Sequence, residues 1–293
     1  MSADLYVFDD APEGRSLVVT GAWSPEAAES LKRGEADGLV LNYARGFTEH
    51  SLEFLEAGWG VRRLRVLDRS IEDLTPIGRL SESLEELSVQ AAPPAELDLG
   101  LVPRVRVLGA EWALIRPTVS ALDALREVIT WRFDEVDLHA FRDHVNLRRL
   151  VVKDAPRLES LDGIGSLPDL EVLSIIGARR LGDIADVADL GATLQEFELQ
   201  GCRALSAIDD VASLVNLRFL GVSDCGDIES FAPIKELENL EELYAWGSTR
   251  VVDGDLSPLA RLPELKEIRM QERREYGPRV AELKSSLPDG GVG

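Results

Sequence analysis

Cysteine, methionine and histidine are scarce in this 293-residue chain, at two, two and three residues. Two cysteines cannot supply a disulfide framework, so a packed interior has to hold the fold. The three histidines, His50, His139 and His144, are badly spaced for chemistry. His139 and His144 stand five apart, off a common helical face, and neither a His-Glu-x-x-His run nor a Cys/His cluster with zinc spacing occurs. No catalytic residue, metal site or cofactor is expected. Long apolar runs are missing too, and none approaches the roughly 18 residues of a membrane span. The first ten residues hold Asp4, Asp9 and Asp10 and no basic or long apolar segment. That is unlike a secretory signal and makes the cytoplasm the expected location. Positive charge is outnumbered, 32 basic against 53 acidic residues, for a formal net charge of -21. The imbalance disfavours nucleic acid and anionic membranes as partners, because repulsion precedes contact. It favours basic proteins, or serves solubility.

Aliphatic residues are plentiful, and they recur at a fixed period. Leu147, Leu150, Val152 and Ala155 stand at offsets 0, 3, 5 and 8 of a unit. The same offsets return at Leu170, Leu173, Ile175 and Ala178, at Leu194, Phe197, Leu199 and Cys202, and at Leu217, Leu220, Val222 and Cys225. The starts at 147, 170, 194 and 217 are 23, 24 and 23 residues apart. Apolar residues then follow every three positions, as in Leu158, Leu161, Ile164 and Leu167. With decay the pattern reaches back through starts at Leu125, Val105, Leu84, Val61, Ala36 and Gly14, and forward through Leu240 and Leu265. About twelve units result. The unit at Leu125 fits worst, with Thr130 and Phe133 at core offsets, so an irregular turn is expected there.

Offsets 3 and 5 alternate as in a strand, with both side chains on one face. A spacing of three in the return segment is the period of tight 3₁₀ turns. One such unit cannot hide its own leucines, whereas stacked neighbours can. The unit resembles the leucine-rich repeat, L-x-x-L-x-L-x-x-(N/C)-x-L, in the short form of internalins and related intracellular regulators. Asp73-Leu74-Thr75-Pro76-Ile77 and Asp255-Leu256-Ser257-Pro258-Leu259 are similar to the "disp-L" turn of internalins. The resemblance spans about residues 14 to 273. It implies an α/β fold: a right-handed solenoid, or horseshoe, with a parallel concave sheet and short helices on the convex side. It also implies protein binding and not catalysis. One departure is that offset 8 holds Ala, Cys or Ser where internalins place Asn, so the bonds of an asparagine ladder must be made otherwise. Residues 1–13 are expected to cap the solenoid as a strand or hairpin. In 274–293, Gly277-Pro278 should open a capping helix with Val280, Leu283 and Leu287 on one face, and a disordered tail from Pro288.

Side chains at offsets 1, 2, 4, 6 and 7 should stand on the concave face. Phe219, Tyr244 and Trp246, with Arg269, form one candidate patch near the C-terminal end. Trp112 and Trp131, with Arg126 and Arg148, form a second at mid-chain. Exposed aromatics beside arginine make good interface anchors. The blander expectation is that aromatics simply suit strands. Charge looks segregated as well, with Arg62, Arg63 and Arg65 in one unit and Arg126, Arg148, Arg149 and Lys153 further on. Glu196, Glu198, Glu241 and Glu242 lie toward the C-terminal half. Cys202 and Cys225 share a column in adjacent units at a spacing compatible with a disulfide, but the column mainly takes small side chains, so reduced, buried thiols are expected. Gly163-Ile164-Gly165 lacks the rest of a phosphate loop, and Asp253-Gly254-Asp255 lacks the further ligands of a calcium site. The expected function is a monomeric scaffold or regulator gripping a protein, possible partners including a basic one. An immunity-type inhibitor of a basic toxin or enzyme, and a self-assembling structural protein, are the alternatives.

Overall fold

The computed structural model describes residues 5–92 and 95–288. Of the expected tail, 289–293 lie outside the described residues. The chain divides into two compact units, 1–128 and 129–293. Each is built from the same module: a strand of four to six residues, a tight turn, and a return segment that is mostly 3₁₀ helix.

In the first unit, β1 (Tyr6–Ala11) and β2 (Gly14–Val19) form an antiparallel hairpin in which Phe8 faces Leu17. Strands β3 (Gly38–Asn42), β4 (Arg63–Leu67), β5 (Glu86–Gln90) and β6 (Val107–Glu111) then add in parallel, in chain order. Helix α1 (Pro25–Lys32) returns the chain from β2 to β3. It starts where sequence chemistry says it should: Pro25 sits in its first turn and the Ser24 hydroxyl accepts from the Ala27 N–H at 3.2 Å. The Asp73 carboxylate likewise accepts from the Thr75 N–H at 2.9 Å and opens the 3₁₀ segment Thr75–Leu80. A four-residue helix, α2 (Trp112–Ile115), follows β6 directly.

Arg62, Arg63 and Arg65 do not stand together on an open face. Arg63 is 7% exposed. Its guanidinium grips the Asp37 carboxylate at 2.7 and 3.0 Å and donates to the Glu13 and Arg15 carbonyls of the hairpin. It lies so close over Gly14 that a Cβ there would meet it at 2.7 Å. Arg63 is therefore a staple between hairpin and repeats.

Strand β7 (Glu127–Trp131) spans the division between units. The second unit continues with β8 (Arg149–Lys153), β9 (Val172–Ile176), β10 (Glu196–Gln200), β11 (Phe219–Ser223), β12 (Glu242–Ala245) and β13 (Glu267–Met270), all parallel. Their registers align offset 3 as one column of Leu150, Leu173, Phe197, Leu220, Leu243 and Ile268, each at most 2% exposed. Helix α3 (Val280–Ser286) follows, with Val280 and Leu283 buried.

Two columns carry backbone bonds that the apolar pattern does not reveal. At offset 7, Asp154, Gly177, Gly201 and Asp224 have φ of 52°, 79°, 71° and 54°. Glycine enters this left-handed region freely and aspartate more readily than most residues. That conformation turns each N–H toward the next repeat, where the carbonyls of Ile176, Gln200, Ser223 and Trp246 accept at 2.7–3.0 Å. At the residue before each unit start, the Asn216 and Asn239 amides donate to the Ala192 and Val215 carbonyls, both at 2.8 Å. An asparagine ladder thus exists, in a different column from that of internalins. At offset 8 the Cys225 thiol reaches the Leu199 carbonyl at 3.2 Å, and both cysteines are free and buried. Ser248, expected in that column, is exposed; Thr249 fills the slot, accepting from the Cys225 N–H at 3.0 Å and donating to the Val222 carbonyl.

The unit at Leu125 is irregular. Phe133 is buried just after Arg132, whose φ is 54°, and no helix begins before His139. Thr130, at 0% exposure, has no partner for its hydroxyl. Thr130→Val keeps the shape and removes the unsatisfied group, so it should raise the unfolding free energy by about 1 kcal/mol. Thermal denaturation checks this, and a lower midpoint would show that the hydroxyl is satisfied in solution.

Candidate functional site

Side chains at offsets 2, 4 and 6 point away from the core, onto the open face of the sheet. In β10 to β13 this face is aromatic and acidic. Phe219 on β11 and Tyr244 on β12 meet edge to face, with ring centroids 5.0 Å apart and planes at 88°. This is a favoured geometry for aromatic rings. Gly221 lies between Glu198 and Tyr244 in the ladder, and a Cβ there would come within 3.2 Å of both the Phe219 ring and Glu198. Arg269 on β13 stacks over the Tyr244 ring, its guanidinium carbon 4.4 Å from the centroid. Trp246 follows β12, its N–H bonded to the Ser223 hydroxyl at 3.3 Å, and is 54% exposed.

Glu196 and Glu242 flank Phe219 in the ladder, Glu198 and Tyr244 flank Gly221, and Glu267 pairs with Glu242. The Tyr244 hydroxyl donates to Glu242 at 3.0 Å and lies 3.4 Å from Glu267. Burial, followed by that bond to Glu242, pushes the phenol up to about 12, so it stays a donor at neutral pH. Glu267 binds Arg269 at 2.5 Å, and Glu198 accepts from the Ser174 hydroxyl at 2.6 Å. Of the four expected residues of the C-terminal patch, Phe219, Tyr244 and Arg269 touch one another, and Trp246 stands exposed just beyond the end of β12.

The mid-chain patch does not assemble as expected. Trp112 is 1% exposed, inside α2, because the chain leaves the strand at Glu111 and turns the indole inward. It offers nothing to a partner. Arg126 is exposed at the entry to β7. Arg148 is exposed but pairs with Glu171 at 3.3 Å. Trp131 stands half-buried at the end of β7. In its neighbourhood the pattern missed Val151, Val172 and Ile176, which occupy open-face positions of β8 and β9. The signal was available, since β-branched residues fill offsets 2, 4 and 6 where polar ones are usual.

The segregated charge at offset 1 largely neutralises itself. Arg62 pairs with Glu85 at 2.9 Å, and Glu241 holds both Arg218 and Lys266, the latter at 2.7 Å. Those bonds from Lys266 and then Arg218 keep the Glu241 carboxyl below its ordinary range. An open groove of about 380 Å³ beside this row is lined by Asn216, Asn239, Arg218 and Glu241. These two amides and this ion pair are already engaged with the protein itself. Elsewhere, the Gly163 N–H bonds Asp186 at 2.8 Å and Asp253 caps the Asp255 N–H at 3.0 Å, so both doubtful motifs act as turns. Among the described residues, no three His, Cys, Asp or Glu side chains converge as metal ligands. No helix there is long and apolar enough to cross a membrane.

Parallel strands in chain order, 3₁₀ return segments and the buried aliphatic ladder together define a leucine-rich-repeat fold. Solved structures of that fold are similar to it. A TDR receptor is 17% identical, with a TM-score of 0.58 over 85% of this chain and 46% of that one. The chain therefore spans just under half of that receptor structure. A leucine-rich-repeat protein of Leptospira interrogans is 17% identical, with a TM-score of 0.44 over 92% and 74% of the two chains. An internalin of Listeria monocytogenes is 16% identical, with a TM-score of 0.40 over 74% and 79%. At such identities the likeness concerns the fold alone. No family model and no curated protein matches the sequence.

Proposed function

We propose that this protein is a non-catalytic binding scaffold that holds a protein partner, through basic side chains, on the open sheet face of β10 to β13. One observation carries the reading: Phe219 and Tyr244 meet edge to face among Glu196, Glu242 and Glu267, and the 54% exposed Trp246 follows two residues after Tyr244. Aromatic faces and carboxylates both attract a guanidinium or ammonium group, and large rigid rings are the usual anchors of protein interfaces. The chain's own Arg269, stacked on Tyr244 and bound to Glu267, displays that chemistry. A net charge of -21 argues against nucleic acid and anionic membranes. It also opposes self-assembly, in keeping with a monomer. Free, buried Cys202 and Cys225 fit a cytoplasmic setting.

Isothermal titration with a synthetic arginine- and lysine-rich peptide tests the proposal. Tyr244→Ala/Trp246→Ala should weaken binding by about 30-fold, the equivalent of about 2 kcal/mol, with an unchanged melting temperature. Equal affinity in the double variant would contradict it. The narrower reading, an inhibitor of a basic toxin or enzyme, is favoured by the acid excess. It requires affinity that falls steeply with salt; salt-independent binding would dismiss it.

A further inference from the structure

The acidic, aromatic half of the open face is continuous with a half of different character. On β8 and β9, Arg149 pairs with Val172, Val151 with Ser174, and Lys153 with Ile176. Val151 is 4% exposed, Val172 and Ile176 are half-buried, and Lys153 is exposed. Trp131 ends the preceding strand, β7. An apolar floor with two cations therefore lies beside the glutamates of β10, because Val172 and Ser174 are also the ladder partners of Glu196 and Glu198. Neither Arg149 nor Lys153 forms an ion pair with another described residue. A solvated sheet face has no use for three β-branched side chains in this position, and the carboxylate of this row, Glu196, lies two strands from Arg149 and forms no ion pair with it.

Resting on the proposed binding of basic side chains, we infer that the face takes an extended, charge-asymmetric segment laid across the strands. Its basic end sits over Tyr244 and Trp246, and an apolar, acidic end sits over Val151, Val172 and Ile176 beside Arg149 and Lys153. From β8 to β12 there are four inter-strand steps of about 4.8 Å, or about 19 Å in all. At about 3.3 Å per extended residue, the two anchors of the partner lie about six residues apart. A reversed segment would set carboxylates on glutamates and cations on arginine, so the face fixes direction as well as composition.

The test uses the full chain and three peptides of equal length. Two carry an Arg-Lys-Arg cluster and a Leu-Asp-Leu-Glu cluster six residues apart, in the two possible orders. The third replaces the Leu-Asp-Leu-Glu cluster with glycine. One of the two orders should bind about 10-fold more tightly than the glycine peptide. Arg149→Glu/Lys153→Glu should erase that gain without weakening the glycine peptide. Lys153→Ala alone should remove part of it, with the melting temperature unchanged. Equal affinity of all three peptides, or a gain that survives the charge reversal, overturns the inference while leaving the basic-anchor reading intact. If the glycine peptide does not bind either, the basic-anchor reading fails too, and this inference falls with it.

Discussion

Phe197→Ala should lower the unfolding free energy by about 3–5 kcal/mol, measured by equilibrium denaturation in urea. Phe197 is fully buried and occupies the one offset-3 position of β8 to β13 where an aromatic ring replaces an aliphatic side chain. Its ladder neighbours, Leu173 and Leu220, are themselves 0% exposed. The strands on both sides hold their spacing through backbone bonds, so they cannot close over the space left by the ring. Part of the loss is transfer of the ring's surface to water and part is the cavity. In a repeat fold the effect should also spread, since each unit is stabilised by its neighbours. Phe197→Leu, which restores the column's usual residue, should cost about 1–2 kcal/mol. A loss below 1 kcal/mol for the alanine variant would mean that stacking of this column does not hold the second unit together.

Arg63→Ala should cost about 3 kcal/mol, for a different reason. The side chain contributes little apolar area; its loss strands the Asp37 carboxylate and removes the donor to the Glu13 carbonyl, while the Arg15 carbonyl keeps the Asp37 N–H at 3.1 Å. Removing one member of a buried, hydrogen-bonded ion pair is far more costly than removing a surface pair. Asp37 keeps 35% side-chain exposure, which holds the effect toward the lower end of the range. Arg63→Lys should recover little, because a single ammonium cannot match the two-pronged contact with Asp37 and still reach the carbonyls. Hydrogen exchange should show the loss concentrated in β1 and β2. Protection that stays unchanged there would contradict the role of staple.

Burial is periodic and leaves a periodic trace, so the strands, the 3₁₀ returns and the aliphatic columns were legible in the sequence. Strand alternation also placed Phe219, Tyr244, Trp246 and Arg269 on one face, because β11 to β13 are regular. The same rule failed for Trp112, where the chain enters a helix at the residue that a continued strand would have exposed. It failed for Arg63 because the partners that draw it inward, Asp37 and two hairpin carbonyls, are 26 to 50 residues away. The left-handed column of Asp154, Gly177, Gly201 and Asp224 serves backbone geometry, to which hydrophobic spacing is blind. The ladder of Asn216 and Asn239 was hidden because Asp169, Thr193 and Glu264 occupy the same column in other units.

Hydroxyl-radical footprinting with a saturating arginine- and lysine-rich peptide reports directly on where a basic partner sits. Tyr43, 65% exposed in the first unit, serves as the internal reference for Trp246. Oxidation of Trp246 should fall by about an order of magnitude while that of Tyr43 stays constant. Unchanged oxidation of Trp246 with the peptide bound, or protection of Tyr43 in its place, would contradict the assignment of the interaction face.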